Sequence, residues 1–320
     1  IPSLVPLCAD EAQACLRYIH IKFAQIIKEK AFRNYRYYLH YRKEFIMNQA
    51  QTSIAIVNDL SGMGRCSVTV ALPILSAMKI TCGIVPTAIL SNQTEFPEYT
   101  MVDFTEYMEE YIQTWKNLNF SFDGIYTGFL GSEKQIQIIL NMIHDFKFKD
   151  IIIDPVMGDH GSLYDSYTDS MCNAMKKLTD AATVITPNIT ELCILTDTDY
   201  SDNLTIDNIK SMCRRLAHNT DKKIIVTGIE SQEKIGTACY CNEDFYVYEQ
   251  EKILPLRPGT GDVFASVIAG CILKNIPLKK GIELASDFVK TCLESSAGKN
   301  IPINNGVCFE EYLSLLTDLS

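Results

Sequence analysis

From Ile54-Ala55-Ile56-Val57 onward, apolar runs of strand length alternate with longer stretches whose apolar positions recur at helical spacing. The runs predict strands at 53–58, 81–86, 124–127, 150–154, 183–186 and 223–228. The helical patterns fall at 66–78, 101–117, 133–146, 165–179 and 205–218. Strands separated by helices of this length imply right-handed crossovers and a mostly parallel sheet covered on both faces. The rhythm then changes: 234–241 and 244–250 alternate, with Asn242-Glu243 as the turn, which predicts an antiparallel edge. The remainder reads as helices at 261–274, 279–296 and 309–317. Neither a linker nor an internal repeat divides 53–320, so this stretch reads as one α/β domain.

Composition narrows the class without naming a chemistry. Of the 320 residues, 47% are apolar and 21% charged, which excludes disordered and collagen-like chains. No uninterrupted apolar stretch nears the roughly 18 residues of a membrane span, so no membrane partner is expected. The net charge of −10 argues against nucleic acid as a partner while leaving room for a local anion site. Residues 1–46 differ, with eight basic side chains (Arg17, Lys22, Lys28, Lys30, Arg33, Arg36, Arg42, Lys43) against four acids (Asp10, Glu11, Glu29, Glu44). No signal-peptide pattern is present there. We expect Met47 to be the natural start and 1–46 to be an appended basic segment without catalytic duty; a basic amphipathic anchor is the rival reading. Cys66, Cys82, Cys193, Cys213, Cys271 and Cys292 sit in apolar runs, and no C-x-x-C occurs. The cysteines therefore read as structural thiols, and a reducing cytoplasm as the compartment.

The segment Pro258-Gly259-Thr260-Gly261-Asp262 carries the chemistry. It follows the hairpin and opens a helix with Val263, Phe264, Val267 and Ile268 on its apolar face. The glycines permit a tight turn that leaves the first N–H groups of the helix pointing outward, suited to a phosphoryl group in transfer. Asp262 at the helix start is placed to take a proton from an attacking hydroxyl. A plain helix N-terminus explains the tetrapeptide equally well when it is read alone.

Further motifs appear in a fixed order, and together they resemble the vitamin B6 (pyridoxal/pyridoxamine) kinases of the ribokinase-like superfamily over residues 53–297. Asn58-Asp59-Leu60-Ser61-Gly62-Met63-Gly64 follows the first strand, and Ser91-Asn92-Gln93-Thr94 the second, similar to the family's S-N-H-T. Tyr126-Thr127-Gly128-Phe129-Leu130-Gly131 resembles its T-G-Y/F turn, Asp154-Pro155-Val156-Met157-Gly158-Asp159 its D-P-V-x-G-D, and Thr186-Pro187-Asn188-x-x-Glu191 its T-P-N-x-x-E. Val226-Thr227-Gly228 stands where a nucleotide-contacting strand end is expected, and Gly259-Thr260-Gly261-Asp262 completes the set.

The resemblance implies a ribokinase-like α/β/α sandwich over 47–320 and an ATP-dependent phosphorylation of the 5′-hydroxymethyl of pyridoxal, pyridoxamine or pyridoxine. By alignment, Asp262 is the base and Gly259, Thr260 and Gly261 form the anion turn. Asn58, Asp59, Ser61, Thr94 and Phe129 face the vitamer, whereas Asp154, Asn188, Glu191, Thr227 and Gly228 face ATP. Asp154 and Glu191 are acids able to hold Mg²⁺, directly or through water. An Asx-turn at Asp154 and a capping box from Asn188 to Glu191 explain the same residues without a metal. The resemblance also implies a homodimer and leaves room for a K⁺ requirement. The loop Ser61-Gly62-Met63-Gly64-Arg65 departs from the common G-x-x-G-N, which bears on vitamer preference. Hydroxymethylpyrimidine (phosphate) kinase is the nearest rival, but its equivalent segment typically reads G-T-G-C, with a thiol where this chain has Asp262. A sugar kinase needs a lid for which the 58–81 interval leaves no room. A catalytically silent vitamer-binding regulator is the reading from outside enzymology.

Overall fold

A computed structural model describes residues 51–201, 203–218 and 220–319. The expectations for 1–46 and Met47 lie outside the described residues. Eleven strands and eight α-helices are described: β1 (Ser53–Ser61), α1 (Ser67–Ala77), β2 (Thr81–Leu90), β3 (Met101–Asp103), α2 (Thr105–Asn117), β4 (Gly124–Thr127), α3 (Glu133–Phe146), β5 (Asp150–Ile153), β6 (Gly158–Asp159), β7 (Ser162–Leu163), α4 (Asp169–Asp180), β8 (Val184–Ile185), α5 (Ile189–Leu195), α6 (Ile206–Ala217), β9 (Lys223–Glu230), β10 (Lys234–Cys241), β11 (Asp244–Glu251), α7 (Thr260–Leu273) and α8 (Leu278–Gly298). Nine strands form one sheet in the order β11-β10-β9-β8-β5-β4-β1-β2-β3. Its centre, from β9 to β2, is parallel, and β10 and β11 make the antiparallel edge.

Period-two side-chain alternation divides the core into two layers. From β1, Ala55 and Val57 face one layer and Ile54 and Ile56 the other. Likewise, Ile125 and Tyr126, Ile153 and Ile152, and Val226 and Ile225 split between the same layers. The first layer takes apolar residues of α2 to α6, and the second those of α1, α7 and α8. Helices thus cover both faces, which is why the central strands read as unbroken apolar runs. This is the three-layer α/β/α architecture of the ribokinase-like fold.

Three expectations are corrected. The segment 101–117 is not all helix: Met101–Asp103 pairs antiparallel with Ala88–Leu90, giving the sheet a second antiparallel edge. Asp103 then accepts hydrogen bonds from the Thr105 N–H (2.8 Å) and hydroxyl, closing the strand before α2 begins. At the C-terminus, 309–317 is a 3₁₀ helix, Glu310–Leu316, with i→i+3 bonds such as Tyr312 N to Phe309 O (3.0 Å). The helix expected to start at 165 begins at Asp169, where the Thr168 side chain accepts from Met171 N. Among the described residues, the cysteines are free, no group of His, Cys, Asp and Glu could hold a metal by itself, and no helix is long and apolar enough to cross a membrane.

Candidate active site

Ligands of an open parallel sheet collect beyond the carboxyl ends of its strands, and the predicted residues gather there. Asn58 and Asp59 lie near the end of β1, where a register shift between Asn58 and Leu60 forms a bulge. Such a bulge re-aims side chains. Here it holds Asp59 buried, accepting from the hydroxyls of Ser67 (2.5 Å) and Ser61 (2.9 Å). Ser61 is therefore a support for Asp59. Asn58 is buried too, and its Oδ1 accepts from the N–H groups of Asp59 (3.0 Å) and Phe129 (2.9 Å). It packs so tightly on the β4 loop that a Cβ on Gly128 would stand 2.3 Å from its Nδ2. Phe129 is half-exposed and belongs to neither core layer. Among the described residues, Thr87 Oγ1 and Thr127 Oγ1 are buried without hydrogen-bond partners, polar atoms of the kind a ligand hydroxyl would satisfy.

The 258–262 turn is fixed by steric exclusion. Gly259 has φ +81°, and a Cβ there would lie 1.9 Å from the carbonyl oxygen of Arg65. Only glycine tolerates both the conformation and the approach. Gly259 precedes α7 without any side-chain cap, so the first N–H groups of the helix are left for a ligand, and the positive end of its dipole points the same way. A Cβ on Gly261 would meet nothing within 4 Å, so the space before the turn is open. Thr260 turns its hydroxyl back to the Arg257 carbonyl (3.3 Å), a bond internal to the turn.

Asp262 follows in the first turn of α7 and is half-buried. Burial pushes its pKa up to about 7, the Asp59 carboxyl pushes the same way, and the Ser67 N–H and Asn58 amide favour the charged form. Asp154, just past β5, is buried and is raised by desolvation and by Asp262, against a hydrogen bond from Thr186 Oγ1 (3.0 Å). Glu191 is raised by burial and by Asp154. Its Oε2 accepts from Asn188 N (2.8 Å) and its Oε1 from Met157 N (3.1 Å), while Asn188 Oδ1 accepts from Glu191 N (2.8 Å). The capping-box reading of Asn188 and Glu191 is thus correct as local structure, and it ties the 154–158 loop to α5. Asn188 Nδ2 adds a bond to the Gly158 carbonyl (2.8 Å).

Thr227 and Gly228 fall inside β9, which runs on to Glu230. Asn188 forms a parallel bridge with Thr227, and Gly228 (φ +73°) lies opposite a register shift in β10. Thr94 is exposed on the loop after β2, while its neighbour Gln93 is buried and donates to the Asn304 carbonyl (2.8 Å). Sequence reasoning missed the supports Ser67, Thr186 and Gln93. Thr186 was visible within Thr186-Pro187-Asn188, whereas Gln93 acts through a partner 211 residues away and Ser67 through Asp59 across the bulge, neither of which spacing reveals. Arg65 pairs with Glu310 (2.6 Å), tying the loop after β1 to the C-terminal 3₁₀ helix.

The family model described as phosphomethylpyrimidine kinase matches residues 72–307. A solved structure from Bacteroides thetaiotaomicron, a candidate phosphomethylpyrimidine kinase, is 36% identical with a TM-score of 0.82, covering 85% of this chain and 95% of that one. A second crystal form of it contains pyridoxal. Among curated relatives, the pyridoxine/pyridoxal/pyridoxamine kinase of Bordetella avium is 26% identical, covering 72% of this chain and 80% of its own. The chloroplastic thiamine biosynthetic bifunctional enzyme TH1 of Arabidopsis thaliana is 23% identical over 83% of this chain, which spans only 51% of that enzyme.

Two outcomes follow from this geometry. Gly259→Ala is expected to lower phosphoryl-transfer turnover about 100-fold, with a lower melting temperature; near wild-type turnover would contradict the steric account. The Asp262 carboxyl titrates near 7 when folded, against an ordinary value of 3.8. Its buried acid form therefore contributes stability at low pH that is lost as pH rises through neutrality. Asp262→Asn should gain in melting temperature over wild type by a few degrees as pH is raised from about 4 to about 8; a pH-independent difference would show that the carboxyl is not desolvated.

Proposed function

Because the chain belongs to the phosphomethylpyrimidine kinase family, we propose that it transfers the γ-phosphoryl group of ATP to the 5′-hydroxymethyl of a B6 vitamer, pyridoxal or pyridoxamine. The observation that carries this reading is a desolvated carboxylate, Asp262, in the first turn of an uncapped helix whose approach is open. Asp262 takes the hydroxyl proton as the oxygen attacks, and a pKa near 7 suits a base that must be ionised at neutral pH yet hold a proton. The N–H groups of the 259–262 turn face the charge on the migrating phosphoryl. Little covalent work is asked of the protein, so positioning dominates the rate.

Mg²⁺ suits this chain's donor set. Asp154 and Glu191 are hard oxygen donors, and the influences on their ionisation are burial, neighbouring carboxyls and hydrogen bonds, with no lysine or arginine among them. Asp154 would hold the ion, and Glu191, whose oxygens both accept backbone N–H groups, would reach it through water. The ion would neutralise phosphate charge. Asn188, Thr227 and Gly228 form the adjoining floor on the nucleotide side. Asn58, Asp59 and Phe129 bound the vitamer side, with Thr94 on the loop above.

Vitamer preference over hydroxymethylpyrimidine rests on the carboxylate at 262 and on the Bacteroides relative seen with pyridoxal. We place the chemistry wholly within 47–320, with 1–46 as an appendage, and read the enzyme as a cytoplasmic homodimer. The test is a coupled assay with pyridoxal, pyridoxamine, pyridoxine and hydroxymethylpyrimidine side by side, on wild type and Asp262→Ala. A B6 vitamer should exceed hydroxymethylpyrimidine in kcat/KM by about tenfold or more, and Asp262→Ala should lower turnover by about 10²- to 10⁴-fold. A better rate with hydroxymethylpyrimidine would move the assignment to that branch, and an active alanine variant would remove the base.

A further inference from the structure

Arg257 lies two residues before Gly259 and is 6% exposed. Burying an arginine usually demands a carboxylate partner. Here the hydrogen bonds that its guanidinium makes among the described residues all go to backbone carbonyls. Nη1 donates to Pro302 O (3.1 Å) and Gly306 O (3.4 Å), and Nη2 to Ile301 O (2.8 Å) and Ser296 O (3.5 Å). Ser296 belongs to the last turn of α8, and the other three residues follow that helix. The carbonyls at a helix C-terminus lack intrahelical partners and carry the negative end of the dipole. Four carbonyl oxygens, of which Ser296 O also accepts from Ile301 N (3.1 Å) and Pro302 O from Asn305 N (3.0 Å), converge on the guanidinium and form a site that suits a cation.

The same segment is gripped from two further directions. Arg65 Nη1 donates to Asn305 O (3.0 Å) and Gln93 Nε2 to Asn304 O (2.8 Å). Arg65 is also the residue whose carbonyl oxygen Gly259 approaches, and a Cβ on Gly306 would crowd that same oxygen at 3.0 Å. The 301–306 segment, the backbone of Arg65 and the 257–259 turn thus form one junction. Arg257 closes it, because its main chain belongs to the turn and its side chain to the carbonyl cluster. A displacement of the cluster is therefore passed to Gly259 through two residues of chain.

We propose that Arg257 is a built-in monovalent cation, a positioning residue that fixes the phosphoryl-binding turn and makes turnover independent of free K⁺. The guanidinium already occupies this cluster, so a free K⁺ does not fit there. Lysine at 257 would keep the positive charge at the cluster, through one ammonium in place of the planar fork. The inference rests on the kinase reading only for its effect on turnover; the occupancy of the cluster stands apart from it.

Arg257→Met, which keeps the length of the side chain and removes its charge, is the test, run in choline, sodium and potassium chloride at one ionic strength. Wild type should show the same turnover and melting temperature in all three salts, within about twofold for turnover. Arg257→Met should lose kcat by about 10- to 100-fold with little change in the KM values. Potassium should restore part of that loss and selectively raise the variant's melting temperature. A K⁺ requirement in wild type, a fully active variant, or a loss that no cation moves in rate or melting would overturn the proposal. If Arg257→Met does not fold, Arg257→Lys decides: folding with most of the turnover supports the charge argument, and failure to fold as well overturns it. Wild type inactive in every salt with every alcohol tested would defeat the kinase reading, while a K⁺-selective melting shift in Arg257→Met would still uphold the cation site.

Discussion

The architecture of the candidate site depends on one close approach, that of the Gly259 backbone to the carbonyl oxygen of Arg65. It brings the start of α7 against the loop that links β1 to α1, two elements separated by nearly two hundred residues of chain. Any side chain at 259 would drive them apart, and with them the free N–H groups of α7 and the carboxyl of Asp262. The sheet supplies the platform: β1, β4 and β5 run parallel side by side, so Asn58, Phe129 and Asp154 emerge at one end. The contact at Gly259 then sets the anion turn over that platform.

Electrostatics follow from the same crowding. Asp59, Asp154 and Asp262 act on one another or on their common neighbours, and burial raises all three. Hydrogen bonds from Ser61, Ser67 and Thr186 restrain the shift without cancelling it. An arrangement of this kind is costly as a mere fold element, because buried carboxyls without cations oppose folding as they ionise. It is useful where a positively charged ion and a proton-bearing alcohol come together with phosphates. The cost of the site and its chemistry thus have the same origin.

Much of this was legible in the chain. The alternation that sends Ile54 and Ile56 one way and Ala55 and Val57 the other is local, and both faces are buried, so the strand read correctly as an apolar run. The Gly-Thr-Gly-Asp turn and the Asn188–Glu191 capping box are likewise local signals with fixed spacing. What escaped was non-local. Met101 and Val102 are both exposed on an edge strand, so they show no alternation, and the helical pattern of α2 absorbed them. Thr94 was named on the strength of a motif, yet its neighbour Gln93 is the residue that reaches across to Asn304. Arg257 gave no signal at all, since its partners are backbone carbonyls some forty residues away, and every sequence has carbonyls.

The most direct measurement of the central claim is the pH dependence of kcat/KM for the nucleotide. If Asp262 is the base and its carboxyl is desolvated as found, activity should fall on the acid side with an apparent pKa near 7, because only the ionised form accepts the proton. A profile that stays flat through neutrality and falls only in the ordinary carboxylate range near about 4 would contradict it.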